Sequence, residues 1–599
     1  MNCSVLHWKR VAALAVLFFA VSSARATIDY SVSVARPEKH IFGVTMRVPN
    51  VRDRVLVQMP AWYALYQIRD FASHMMQVTA KDETGDNLPV VRLDKQTWQV
   101  TGTGTITVKY SVFWDDPGPF ASQLNPEHAF LNLAMVLLYI PDRRGEQTRL
   151  RLDDLPEGWR VAVELEGTDG GRGGPYTAPG YDALVDAPVE LGYFSEFRMD
   201  AGARPIRIVV HGDLGEPSRV YGALKRIVDY DSALMGGAPF REYLFLFHVG
   251  TTYGGGGMEH ANSTAIAAEV PGQLMSYAAH EFFHVWNVKR IRPKSLEPVD
   301  FTKEMWTRSL WFAEGVTSTY GAYALVRTGL WSPQQFYSDL GTQISELESR
   351  PAHFWQSAEE SSLAAWYEKY PIYNRPEESV SYYNKGQLLG VALDIVIRDL
   401  TDNRSSLDDM LRALNDQFAR PGRFYNESED LRSVAEDVIR TKAPDAHPNL
   451  KDFFARYVAG TDEIPFENLL GRAGLLLKDT SPRHGAFGFA IRRDGKSTAF
   501  VGSLQAGSAA QQAGLQDGDI LLALNGEPLP RSTDRWVRDR QPSERVTLKV
   551  RRNGEDQDIS FALGRQSEAA FQVSEAPDAT PKQRRIRDGI LHGTVGDSQ

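Results

Sequence analysis

The sequence predicts a multidomain α+β protein: a β-sandwich, then a strand layer followed by a helical block, then a small strand-rich module. Three observations predict it. At 599 residues the chain exceeds one ordinary core. Its apolar periodicity changes from alternation to helical spacing near Ser276. Glycine-rich stretches break it at 167–180 and throughout the C-terminal segment. Hydrophobic residues at 42% and charged residues at 24% are an ordinary globular balance, which excludes a disordered or collagen-like chain. A formal charge of -10 offers no basic field to nucleic acid.

Residues 1–26 read as a secretory signal peptide, outside the fold. Lys9 and Arg10 precede the short apolar run "VAALAVLFFAVSS", and "ARA" offers small residues for cleavage. The run is short for a membrane span, so no span is expected after cleavage. Cleavage also removes Cys3, the only cysteine, leaving a protein without disulfides. An exported protein, periplasmic or secreted, is expected.

The sandwich is expected over 27–167. Its clearest strand is "TITVKYSVFW", where Ile106, Val108, Tyr110, Val112 and Trp114 alternate with more polar neighbours. "RVLVQMPAW" and "RLRLDDLPEGWRVAVEL" fit the same picture. A second domain is expected over 168–475. Its strands "IRIVVHG" and "YLFLFHVGTTYGGGGMEH" precede helices such as "KGQLLGVALDIVIRDL" and the serine-capped "SSLDDMLRALNDQF". A third unit is expected over 476–566. Residues 567–599 read as a polar, loosely ordered tail.

Chemistry enters at "HEFFH", residues 280–284. On a helix, His280 and His284 share one face a turn apart and can converge on one ion. Glu281 projects about 100° away, where it can take the proton of an attacking water. This is the H-E-x-x-H zinc hydrolase pattern, which needs a third protein ligand. Glu314, in the apolar stretch "LWFAEGV", is costly to bury unless it pairs with a charge or a metal. Its two readings are a salt-bridged glutamate and the third zinc ligand. Two neutral imidazoles and one carboxylate would leave a net +1 site suited to Lewis-acid work.

"HEFFHVWNVKRIRP" together with "LWFAEG" resembles the M61 family of glycyl aminopeptidases among the gluzincin metallopeptidases. "MPAWYALYQIRDFA" and the C-terminal unit fit the same layout. The gap of thirty positions from His284 to Glu314 fits M61 rather than the shorter gap of M1 aminopeptidases. The resemblance implies a thermolysin-like catalytic domain with a helical C-terminal half and one zinc per chain on His280, His284 and Glu314. "GGMEH" is similar to the Gly-x-Met-Glu-Asn motif of M1 enzymes. It implies that Glu259 binds a substrate's free amine, although His260 stands where that motif has Asn. "SYYNKGQLL" resembles their tyrosine segment, and register implies Tyr383 as the oxyanion donor, with Tyr382 the neighbouring alternative.

"GAFGFAI" and "AGLQDGDILLALNG" resemble a PDZ domain, which implies a groove for a peptide C-terminus or strand. The expectation is an exported zinc aminopeptidase acting on peptides with a free N-terminus, glycine preferred by resemblance. The alternatives are a zinc endopeptidase, if Glu259 does not reach the site, and a PDZ-based peptide-binding protein with a degenerate catalytic domain.

Overall fold

The computed structural model describes residues 27–167, 172–368, 375–446, 448–481, 484–493, 498–505, 507–530, 532–566 and 569–596. The expected signal peptide lies outside the described residues, as does part of the glycine-rich break after Gly167.

The N-terminal region is built of sheets. A seven-stranded sheet contains Ile28–Ser33, Ile41–Val51 and Gly104–Phe113. A three-stranded sheet of Arg54–Gln58, Thr97–Thr101 and Val90–Arg92 shares its core, where Val44 and Val108 meet Val57 and Val100. In Gly104–Phe113 the residues Ile106, Val108, Tyr110 and Val112 are buried and Phe113 is exposed, as period-two alternation requires. After Gln58 the chain leaves its sheet and enters the second domain. There Trp62 and Tyr66 join the larger core, and Trp62 Nε1 donates to the Asp300 carbonyl at 2.8 Å.

The second domain begins with a five-stranded sheet in the order Ser195–Ala201, Arg204–Gly212, Tyr243–Val249, Ser263–Ala268, Gly256–Glu259. Tyr243–Val249 lies between two parallel neighbours and is buried along its whole length. That explains its continuous apolar run. Gly256–Glu259 is an antiparallel edge strand. The helices follow. Leu274–Phe283 carries the first histidine, Trp311–Val316 is a π-helical turn leading into Thr317–Arg327, and Tyr382–Leu400 crosses that turn.

The crossing is a backbone-to-backbone contact. A Cβ on Gly315 would meet the Tyr382 carbonyl at 2.7 Å and overlap Gly386. One on Gly386 would overlap the Trp311 carbonyl. Only residues without a side chain let these two helices approach so closely. The contact fixes where Tyr382 and Tyr383 stand relative to Glu314.

The C-terminal region departs from expectation. The segment read as a loosely ordered tail contains a strand, Phe571–Glu575, paired with Leu475–Asp479. It also contains a helix, Pro581–His592, begun by a capping box of Thr580 and Gln583 with Pro581 in the first turn. Its polar composition hid three apolar residues at helical spacing. Ile586, Ile590 and Leu591 are buried in the catalytic core, Arg327 Nε donates to the Ile590 carbonyl at 2.8 Å, and Arg398 donates to the Thr594 carbonyl at 2.8 Å. The strand-rich module between them is therefore inserted into the catalytic domain. The chain leaves and returns side by side, with Thr480 N donating to the Ala570 carbonyl at 2.7 Å.

Truncation and excision are thus different experiments. Removing everything from Ser481 onward deletes Ile586, Ile590 and Leu591, each buried side chain worth about 1.5–3 kcal/mol, and uncovers the catalytic core they pack on. It also strips the Thr594 carbonyl from the fully buried Arg398. Loss of folding is expected. Replacing 482–569 with a short linker should leave melting of the catalytic domain and turnover of a small aminoacyl substrate largely intact. Thermal melts of both variants check this.

Candidate active site

The histidine-bearing helix packs Phe282 on the sheet, against Tyr243 and Phe245, and stacks Phe283 on Tyr320 of Thr317–Arg327. That orientation brings the ring nitrogens of His280 and His284 out on the opposite side. His280 Nε2 and His284 Nε2 lie 3.0 Å apart. Glu314 Oε2 lies 3.5 Å from the first and 3.2 Å from the second. The π-helical turn at Trp311–Val316 positions this carboxylate, and such turns recur at functional sites.

The far sides of both rings are fixed. His284 Nδ1 lies 2.6 Å from the Asn287 carbonyl. His280 Nδ1 lies 3.2 Å from Ser318 Oγ, whose hydroxyl donates to the Glu314 carbonyl at 3.0 Å. With the Nδ1 sides donating, both Nε2 atoms turn lone pairs toward the carboxylate. Three acceptors converging in a buried place repel unless a cation sits among them. Metal–ligand bonds of about 2.0–2.1 Å in a tetrahedron separate ligand atoms by about 3.3 Å. The three observed spacings bracket that value, so the donor set fits a zinc-class ion.

The charges agree with this. Burial alone would raise Glu314, but the two imidazoles outweigh it and hold the carboxyl well below the usual carboxylate range. Burial likewise lowers His280. For His284 burial is outweighed by Glu314, and its pKa is raised to about 10.

Asn287 ties the ligand set together and was not foreseen. Fully buried, it donates from Nδ2 to the Phe312 carbonyl at 2.9 Å and to Thr317 Oγ1 at 3.1 Å. It joins the segment after His284 to the turn carrying Glu314. Ser318, four positions after Glu314, was also missed. Four-residue spacing on a helix was the available signal.

Glu281 is buried, and its carboxylate lies against the backbone of Gly257, where any Cβ would overlap it. The glycine run before Glu259 therefore has a specific reason at this position. A carboxylate oxygen of Glu259, one of Glu281 and a ring nitrogen of His284 all lie within 4.8 Å of one another. Glu259 reaches the ligand set. His260 is fully buried, with Nδ1 3.4 Å from Asp186. Asp186 also accepts from Tyr63 at 2.6 Å, Lys289 at 2.7 Å and the Ala261 amide at 2.8 Å. This network anchors the end of the edge strand.

One cavity of about 530 Å³ is lined by His280, Glu281, His284, Glu314, Glu259 and Tyr383. Tyr66 from the N-terminal region closes one wall, another residue not foreseen. Tyr382 and Tyr383 separate here. Tyr382 is fully buried in the core, whereas Tyr383 lines the cavity with its ring centroid 6.0 Å from that of His280. Tyr383→Phe should lower kcat with little change in KM, as for an interaction made mainly in the transition state. Tyr382→Phe should affect stability more than kcat. Steady-state kinetics of the pair checks the assignment.

In the C-terminal module, Ala490–Arg493 stands at the edge of its sheet, and Phe487 of the preceding loop stacks on Trp536 at 6.1 Å. An edge strand beside a loop is the geometry that β-augmentation uses.

Comparison with known proteins follows the same division. Residues 273–389 match the M61 glycyl aminopeptidase family, 29–193 the peptidase M61 N-terminal domain, and 500–552 a PDZ domain. An aminopeptidase N family protein from Idiomarina loihiensis is 25% identical, with a TM-score of 0.81 over 94% of this chain and 100% of that one. An M1 zinc metallopeptidase from Deinococcus radiodurans is 16% identical, with a TM-score of 0.46 over 74% of this chain and 95% of that one. A probable periplasmic serine endoprotease DegP-like from Rhizobium meliloti (strain 1021) is 35% identical over 68 residues, 11% of this chain and 14% of that protein's length. Among the described residues, no helix is long and apolar enough to cross a membrane.

Proposed function

We propose that this chain, which carries the N-terminal and catalytic domains of the M61 glycyl aminopeptidase family, is a zinc-dependent aminopeptidase. The observation that carries the reading is the meeting of three ligand-type side chains with Glu281, Tyr383 and Glu259 on one cavity.

His280, His284 and Glu314 would hold the zinc. When bound, it supplies Lewis-acid polarisation of the scissile carbonyl and acidifies the attacking water. Glu281 takes the proton of that water and delivers it to the leaving amine. The Tyr383 phenol donates to the oxyanion that forms at the former carbonyl oxygen. Glu259 pairs with the substrate's α-ammonium and fixes the N-terminus beside the scissile bond. Glycine preference follows from the family resemblance. Export follows from residues 1–26. The PDZ module offers its edge strand to a peptide C-terminus or strand.

The presence of Glu259 in the cavity favours an aminopeptidase over an endopeptidase, and the complete constellation favours an enzyme over a degenerate scaffold. Purified protein should lose activity reversibly on chelation. His280→Ala and Glu314→Ala should each empty this site and abolish activity. Full metal retention in Glu314→Ala, measured by elemental analysis, would sink the ligand assignment.

A further inference from the structure

A second histidine–glutamate cluster lies where the N-terminal region meets the catalytic sheet. His128 begins the strand His128–Leu131, Glu190 lies on the neighbouring Val189–Gly192, and His248 lies on the central catalytic strand Tyr243–Val249. All three are fully buried. None lines the cavity that holds Glu281 and Tyr383.

Glu190 presents its two oxygens to different rings. Oε1 lies 3.0 Å from His128 Nδ1, and Oε2 lies 2.9 Å from His248 Nε2. The opposite side of His128 fixes the remaining chemistry. Gln123 Nε2 donates to Asp115 at 3.0 Å, which turns Gln123 Oε1 toward His128 Nε2 at 3.1 Å. His128 must donate from Nε2. A neutral imidazole carries one N–H, so Nδ1 then aims a lone pair at a carboxylate oxygen. Two acceptors 3.0 Å apart in a buried place require a cation between them.

We propose that this cation is a divalent first-row metal ion of the zinc class, held in a second, structural site by His128, Glu190 and His248. A proton between His128 and Glu190 and a donation from His248 Nε2–H to Oε2 would satisfy the two edges separately. A metal ion engages both edges. Nδ1 of His128, Nε2 of His248 and the two oxygens of Glu190 make four donor atoms from three residues, and one donor from each residue lies within 4.8 Å of the others. Two nitrogens and two oxygens suit a zinc-class ion, and a set filled by protein atoms is the closed, structural kind. His211 covers it, stacked on His128 at 4.1 Å.

The position gives the site a task. The Tyr253 ring stacks on His248 at 5.3 Å. Tyr253 lies in the turn between His248 and Gly255, Gly256 and Gly257, which line the active cavity. Bonding His128 to His248 through a metal would pin the N-terminal region to the root of that turn.

The test is elemental analysis of the full chain, produced with zinc and purified without chelator, in wild type, His280→Ala/His284→Ala and Glu190→Gln. The expectation is about two metal ions per chain in wild type. The double variant should keep about one. Glu190→Gln, which preserves shape but removes the anionic ligand, should also keep about one and melt at a lower temperature. About one ion in wild type and none in a cooperatively melting double variant would overturn the second site and leave His128 as an imidazolium. About one ion in both would uphold the second site and refute the catalytic ligand assignment. These counts decide even if Glu190→Gln does not fold.

Discussion

Glu281→Gln should retain the metal of the catalytic site and lose kcat by at least about a hundredfold. The buried carboxylate rests on the backbone of Gly257 and lies within 4.8 Å of His284 and Glu259. Glutamine fills the same space against that glycine, so the cavity keeps its shape. What it loses is the ability to take a proton. The loss should fall on kcat, with KM changed little, since Glu281 contributes to proton transfer and not to holding the substrate. Metal content and steady-state kinetics of one preparation check this together. A variant with kcat near wild type would remove Glu281 from the reaction.

A blocked substrate N-terminus should cost about 2–4 kcal/mol, some thirty- to a thousandfold in kcat/KM. Glu259 ends the edge strand Gly256–Glu259, with its carboxylate in the cavity. A free α-ammonium there makes a charge-assisted contact; an acetylated one leaves the carboxylate desolvated and unpaired. Glycyl-p-nitroanilide should be cleaved far better than its N-acetyl form by wild type. In Glu259→Ala the preference should collapse. Efficient wild-type cleavage of the blocked substrate would make the enzyme an endopeptidase.

The candidate ligand residues stand out in the sequence because their signals are local. His280 and His284 are four positions apart on one helix, and Glu314 announces itself as an acid among Trp311, Phe312 and Ala313. The alternation in Gly104–Phe113 and the buried run Tyr243–Val249 are equally local, since a strand's own side-chain period shows which faces are covered. The C-terminal helix escaped this reading. Pro581–His592 has only a few apolar positions amid charge, and their burial depends on a core built mostly from residues far earlier in the chain.

By itself, then, the sequence determined which side chains are of types suited to binding a metal or moving a proton, and roughly which elements carry them. Local spacing and side-chain type suffice for that. The tertiary structure decided which residues share a cavity. Gly315 and Gly386 let two helices touch backbone to backbone, so Tyr383 faces the ligand set and Tyr382 enters the core. Gly257 admits the Glu281 carboxylate, Asn287 ties the two ligand segments together, and the edge strand brings Glu259 to His284. The strand Leu475–Asp479 meets Phe571–Glu575 across the whole inserted module. Each of these depends on atoms far apart in sequence coming within a few ångströms, and no periodicity along the chain records such a meeting.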